Sequence, residues 1–167
     1  MKDKKTPKII AISGVKNSGK TTLIEKIIPK LIMENLKVAT IKHDGHDFEG
    51  DIEGTDTFRH KKSGAMGTAI FSNNKFMVIK EAENITEKDL IHNFKDADVV
   101  LLEGFKYSDY PKLEIVRKGN SKESVCKKET LIALVSDFDI KVPDVEVLDL
   151  NDIDSISECL LQYIRRG

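Results

Sequence analysis

The sequence contains no tryptophan and only two cysteines, Cys126 and Cys159. The two are far apart and form no CxxC. They therefore exclude a disulfide framework and a zinc-cysteine cluster, and they fit a reducing compartment. Long apolar runs are also missing. No stretch reaches the ~18 residues of a membrane helix. Met1 to Lys8 holds no apolar core of a secretory leader, so a cytoplasmic protein without a membrane partner is expected. Neither sign of charge is in excess: Lys plus Arg number 27 against 28 Asp plus Glu, a formal net charge of −1. A chain that holds nucleic acid through bulk charge is usually basic, so nucleic acid is not an expected partner. Repeats and low-complexity segments are absent as well. What is present is 167 residues, 40% hydrophobic and 33% charged, enough for one globular domain spanning 1–167 with residues 1–7 flexible.

Short apolar runs and helical periods alternate along the chain. Ile9 to Ile12 ends at Ser13-Gly14 and reads as a buried first strand. From Lys20 to Met33 the apolar residues Leu23, Ile24, Ile27, Ile28, Leu31 and Ile32 recur at three and four, the period of an amphipathic helix. Pro29 lies inside it and predicts a kink or an early stop. Val38 to Ile41 reads as a second strand, followed by an irregular stretch from Lys42 to Gly54. Thr55 is placed to cap a short helix ending at Gly64. Thr68 to Ser72 and Phe76 to Ile79 flank Asn73-Asn74, a hairpin signal. Thr86 and Asp89 resemble the start of a short helix through Phe94. Val99 to Leu102, four apolar residues before Glu103-Gly104, suits a strand buried on both faces. Leu113 to Val116, Leu131 to Val135 and Val145 to Leu148 are further strands. Asn151 or Asp152 opens a last helix carrying Ile153, Ile156, Leu160 and Ile164. The expected fold is a three-layer α/β sheet, mostly parallel, with a β-hairpin inserted after the second strand.

One motif carries chemistry. Gly14-Val15-Lys16-Asn17-Ser18-Gly19-Lys20-Thr21 matches GxxxxGK(S/T) at every fixed position. Such a P-loop cradles phosphates on successive backbone N–H groups, so Gly14 and Gly19 must let it curl. The helix that follows aims its free N–H groups at the anion. Lys20 reaches the β- and γ-phosphates, and Thr21 coordinates Mg2+. Lys16, Asn17, Ser18 and Thr22 complete the cradle. An apolar strand directly before and a helix directly after give the context that the motif requires. Glu103, at the end of a buried strand, is the candidate for the magnesium side, with Gly104 letting the chain turn away. No N/T-K-x-D element is present. Asp137, after the strand Leu131–Val135, is the nearest candidate for reading a guanine base, or else an exposed turn acid. Spacing alone does not separate GTP from ATP.

The stretch with His43, Asp44, His46, Asp47 and Asp51 lacks a closed ligand set for zinc. It follows the second strand toward the phosphate end of the sheet. Asp47 and Asp51 are candidate catalytic residues there, toward water, Mg2+ or a second substrate. Arg59, His60, Lys61 and Lys62 form a basic run, either a solvated helix face or an anion-binding surface.

The segments IIAISGVKNSGKTTLIEKII, KVATIKHDGHDFEGDIEGTDTFRHKKSGA, ADVVLLEGFKYSDYPKLEIVR, LIALVSD and VLDLNDID together resemble the molybdopterin-guanine dinucleotide biosynthesis protein B family, MobB. The resemblance runs from Ile9 to about Tyr163. It implies a P-loop NTPase fold, GTP and Mg2+ as ligands, and weak GTPase activity. It also implies an adapter role beside the guanylyltransferase MobA and the molybdoenzyme maturation machinery, with molybdopterin or its guanine dinucleotide as a further ligand. The family is dimeric, and the apolar hairpin Thr68–Ile79 is the expected homodimer surface. The family's phosphate loop maps onto Gly14 to Thr22 and its acidic strand end onto Glu103. Its histidine loop maps onto His43 to Phe48, with Gly45 where a His is often seen. Its Gly-x-Asp-(S/T) element maps onto Gly54, Asp56 and Thr57. Two other readings stay open on the residues: a small-molecule kinase using ATP, with Asp47 or Asp51 as base, and a partner protein that binds nucleotide only for stability.

Overall fold

The computed structural model describes residues 6–45 and 48–166. The expected flexibility of residues 1–7 concerns mostly positions outside that range. Two compact units are present, one built from the chain up to His43 and from Glu87 onward, the other from Asp44–Thr86.

The first unit is a six-stranded sheet: β1 (Lys8–Gly14), β2 (Val38–Lys42), β5 (Val99–Glu103), β6 (Lys112–Val116), β7 (Leu131–Ser136) and β8 (Val147–Asp149). The spatial order is β2-β5-β1-β6-β7-β8 and every pairing is parallel. Parallel strands need crossovers, and the helices α1 (Lys20–Met33) and α3 (Glu87–Ile91) lie in two of them, while α4 (Ile153–Arg165) follows the last strand and packs back on the sheet. Alternation along each strand then sorts the core. Ile10, Ile12, Val99, Leu101, Leu113 and Ile115 pack with Leu23, Ile27 and Leu31 of α1 and with Ile156, Leu160 and Ile164 of α4. Ala11, Val100 and Leu102 face the other way, under Leu90 and Ile91 of α3. Helices on both faces make β1 and β5 near-continuous apolar runs, which is why four residues in a row read correctly as a doubly buried strand.

Pro29 does not stop α1, which continues to Met33. Glu25 and Pro29 are both exposed. The amide hydrogen bond that proline forfeits therefore falls on the solvent-facing side of the helix.

The second unit holds α2 (Asp56–Lys62) and the antiparallel hairpin of β3 (Gly67–Phe71) and β4 (Phe76–Lys80). Phe71 pairs with Phe76 and Gly67 with Lys80. Thr55 caps α2 by accepting from the Phe58 N–H, as expected, and Gly64 leaves it with φ of 101°.

Candidate functional site

β1 enters the site at its carboxyl end. Gly14 has φ of 138°, and a Cβ there would lie 2.6 Å from the Ile115 carbonyl oxygen and 2.7 Å from Ser18 Oγ. Only glycine fits so close to the neighbouring strand. Asn17 and Gly19 also take positive φ, so the chain curls between Val15 and Gly19 and then enters α1 at Lys20. Gly19 offers no side-chain cap, which leaves the first amides of a 14-residue helix open toward the loop. Lys16 and Asn17 are exposed on the curl, and Thr22 is exposed in the first turn of α1. Ser18 is fully buried, and its hydroxyl has no hydrogen-bond partner among the described residues.

Lys20 folds back over the loop. Its Nζ donates to the Val15 carbonyl at 2.7 Å and to the Gly14 carbonyl at 3.4 Å. Burial pushes its ammonium below the ordinary lysine range. The Glu103 carboxylate opposes that shift, and the charges of Lys106 and Lys42 add to it.

Glu103 ends β5, in register with Ile12 and Lys42. Its Oε1 accepts from Thr21 Oγ1 at 2.7 Å. The next residue, Gly104, takes φ of 106°. Its N–H donates to the Ile12 carbonyl at 3.0 Å, and its carbonyl accepts from Ser13 Oγ. The strand-end acid and the phosphate loop, joined through residues 82 apart in the chain, are thus one connected structure. A hydroxyl and a carboxylate oxygen side by side are the hard donors that Mg2+ takes, and the residues present fit that ion.

The other flank of the loop is made by the connection from β6 to β7. Asn120 Nδ2 donates to the Lys16 carbonyl at 3.0 Å. An Arg117 guanidinium nitrogen lies 3.5 Å from where a Gly19 Cβ would be. Asp137, just past β7, accepts from the Lys118 N–H at 2.7 Å and pairs with Arg117 Nε at 3.5 Å. It also lines a cleft of about 900 Å³ at the carboxyl ends of β7 and β8, with Phe138, Ile140, Val147 and Asn151. A second cleft, beside Lys30, Glu34 and Cys159, contains none of these residues.

Asp47 and His46 lie outside the described residues. Asp51 belongs to the second unit, where it accepts from the Ile52 N–H at 2.8 Å and from Thr55 Oγ1 at 3.1 Å. A hydrogen bond from the Thr57 hydroxyl is the main cause holding its carboxyl below the usual range. Its visible work is to organise the start of α2. His43 donates its N–H to the Glu103 carbonyl at 3.4 Å, and its ring lies 5.7 Å from that of Phe105. Among the described residues no three His, Cys, Asp or Glu side chains are grouped to hold a metal ion, and no helix is long and apolar enough to cross a membrane. Two residues tied to the loops around the site were missed by sequence reasoning: Asn120, and Lys112, whose Nζ donates to the Phe105 and Ser108 carbonyls after Glu103. Only Lys112 carried a local signal, a charge where β6 alternates.

A parallel sheet with a glycine-curled loop between its central strand and a helix, and an acid at the end of the adjoining strand, defines a P-loop NTPase fold, one that binds nucleotide phosphate and magnesium. The solved structure of Bacillus subtilis MobB has that architecture: it is 26% identical, with a TM-score of 0.75, over 96% of this chain and 99% of that one. The MobB family model, "Molybdopterin guanine dinucleotide synthesis protein B", matches residues 9–137, and the chain belongs to this family. Two relatives are each named a molybdopterin-guanine dinucleotide biosynthesis adapter protein. That of Haemophilus influenzae is 30% identical over 93% of this chain and 89% of its own length. That of Escherichia coli K12 is 28% identical over 95% and 94%.

Proposed function

We propose that this protein is a GTP-binding adapter in molybdopterin guanine dinucleotide biosynthesis, with slow GTP hydrolysis. It acts beside the guanylyltransferase MobA and the molybdoenzyme maturation machinery, which receives molybdopterin or its guanine dinucleotide. The observation that carries the nucleotide side is the hydrogen bond from Thr21 to Glu103 next to the glycine-curled loop. Backbone amides from Val15 to Lys20 and the Lys20 ammonium hold the phosphates. Lys20 exchanges its carbonyl partners for phosphate oxygens, which as anions make the stronger charge-assisted bonds. Thr21 and Glu103 hold Mg2+, which neutralises charge on the terminal phosphates when bound. Asp137 faces the base from the rim of its cleft, and its long contact to Arg117 leaves an oxygen for the donors of guanine. Slow hydrolysis is the reading that the family resemblance supports.

The hairpin supports a homodimer. Ile70, Phe71, Phe76 and Val78 are each more than half exposed, an apolar surface unusual for a lone chain.

The test of the nucleotide site is Lys20→Ala. We expect GTP affinity to fall by about a hundredfold, on the order of two charge-assisted hydrogen bonds, with an unchanged thermal midpoint. Wild-type affinity in that variant places the ligand elsewhere. Faster phosphate transfer to a metabolite than to water would favour the kinase reading instead.

A further inference from the structure

β6 reads Lys112-Leu113-Glu114-Ile115-Val116, and every residue in it is buried. Leu113 and Ile115 join the core with α1 and α4. Lys112 and Glu114 point to the opposite face, two charges in a strand whose packing would be served by apolar residues. Lys112 is wholly inaccessible. A buried ammonium is costly unless its donors are matched. Here they are: Nζ donates to the carbonyls of Ser108 at 2.7 Å, Phe105 at 3.1 Å and Lys106 at 3.4 Å, and to Ser108 Oγ at 3.3 Å.

All four acceptors belong to one loop, the one that leaves Glu103. Its first two residues, Gly104 and Phe105, take φ of 106° and 54°, and the second value is rare for a bulky side chain. The Phe105 carbonyl receives Lys112 Nζ, the Ser108 N–H at 3.0 Å and Ser108 Oγ at 2.7 Å. The knot therefore holds the loop in a backbone conformation that Phe105 would not choose alone. At its near end the loop is tied to β1 through Gly104, as described above. Glu103 stands at its root, bonded to Thr21. Lys106 lies within it, close enough for its charge to act on Lys20. Glu114 does similar work on the following connection, accepting from the Val125 N–H at 2.7 Å, from the Cys126 N–H at 3.3 Å and from Ser124 Oγ.

We propose that Lys112 is a positioning residue for the nucleotide site: its buried ammonium fixes the Gly104–Ser108 loop so that Glu103 and Lys106 stand ready for a magnesium-bound nucleoside triphosphate. The proposal rests on the nucleotide-binding reading above. It separates two parts of the site. The phosphate loop and α1 hold a nucleotide by their own amides, without help from Lys112. The magnesium and terminal-phosphate side depends on the loop that Lys112 clamps.

The experiment is calorimetric titration of wild-type protein and Lys112→Met with GTP plus Mg2+, and separately with GDP in EDTA, alongside thermal unfolding. Lys112→Met keeps the length of the side chain and removes its donors. Loss of a residue that orients a metal ligand typically costs ten- to a hundredfold in metal affinity. The expected result is a fall of about tenfold or more for Mg2+-GTP, with GDP in EDTA held within about twofold. A purely structural role would lower the unfolding midpoint and move both affinities together, or neither, and either outcome overturns the proposal. If Lys112→Met does not fold, Ser108→Ala is read in the same way. It removes one hydroxyl from the knot and is expected to cost Mg2+-GTP about threefold, the scale of one hydrogen bond. Equal losses for both ligands, or no loss, overturn the proposal there too. Absence of any nucleotide binding by the wild type overturns the underlying reading. Binding by the wild type with no selective loss in the variants overturns this inference alone.

Discussion

Gly14 sets the curvature of the phosphate loop because nothing larger fits between Ser18 and the carbonyl of Ile115. Gly14→Ala adds a methyl group at 2.6 Å from that oxygen and forces an L-residue to a φ it avoids. Strain and overlap together should cost about 3 kcal/mol, measured by urea unfolding. Gly45→Ala is the control, since among the described residues beyond its chain neighbours no atom lies within 4 Å of its added methyl and little change is expected. A loss below about 1 kcal/mol at Gly14 would mean that the loop does not pack against β6 as described. The same scale shows what a sequence reveals of a site. Glu103 was legible because an acid followed by glycine closes a doubly apolar run. Asn120 was not, because its contact to Lys16 spans 104 residues and follows no local pattern. Lys112 was passed over because a lysine before an apolar run normally marks the surface. Only its depth in the sheet shows that it serves the loop after Glu103.

The hairpin of β3 and β4 is the element whose sequence and burial disagree most. Both arms are apolar, yet Phe71 is 83% and Phe76 76% exposed. The two pair directly across the strands, so they form one patch. A double substitution, Phe71→Asp with Phe76→Asp, should convert a dimer at tens of micromolar into a monomer in sedimentation equilibrium without unfolding the sheet of β1. A wild-type monomer at that concentration would remove the hairpin from the interface. Elements elsewhere were read with varying success. The periodicity of α1 and α4 and the caps of α2 were local, and they appear where the residues placed them. Of the two outcomes expected at Pro29, a kink or an early stop, the early stop does not occur, since the helix runs on to Met33 with Pro29 on its exposed side. The last strand was expected at Val145–Leu148 and occurs at Val147–Asp149: the Val145 N–H is taken by a turn to the Val142 carbonyl at 3.2 Å, and pairing with β7 begins only at the Glu146 carbonyl, which accepts from the Leu134 N–H.

At the scale of the whole molecule, charge is nearly balanced, so recognition has to come from local geometry rather than from a general field. The sheet order supplies that geometry. β1 lies between β5 and β6, which brings Glu103 to one flank of the phosphate loop and Arg117 with Asn120 to the other. Alternating strands and helices made the α/β class legible, but a strand order that joins distant segments is set by tertiary packing and no single segment contains it. The central claim is that this arrangement binds GTP with magnesium. Its most direct test is titration calorimetry of the wild-type protein with GTP and with ATP, each with and without Mg2+. The account predicts GTP binding that tightens with Mg2+ and exceeds ATP binding by at least about tenfold, the discrimination that one or two bonds from Asp137 to guanine supply. Equal or tighter ATP binding, or no binding of either nucleotide, would contradict it.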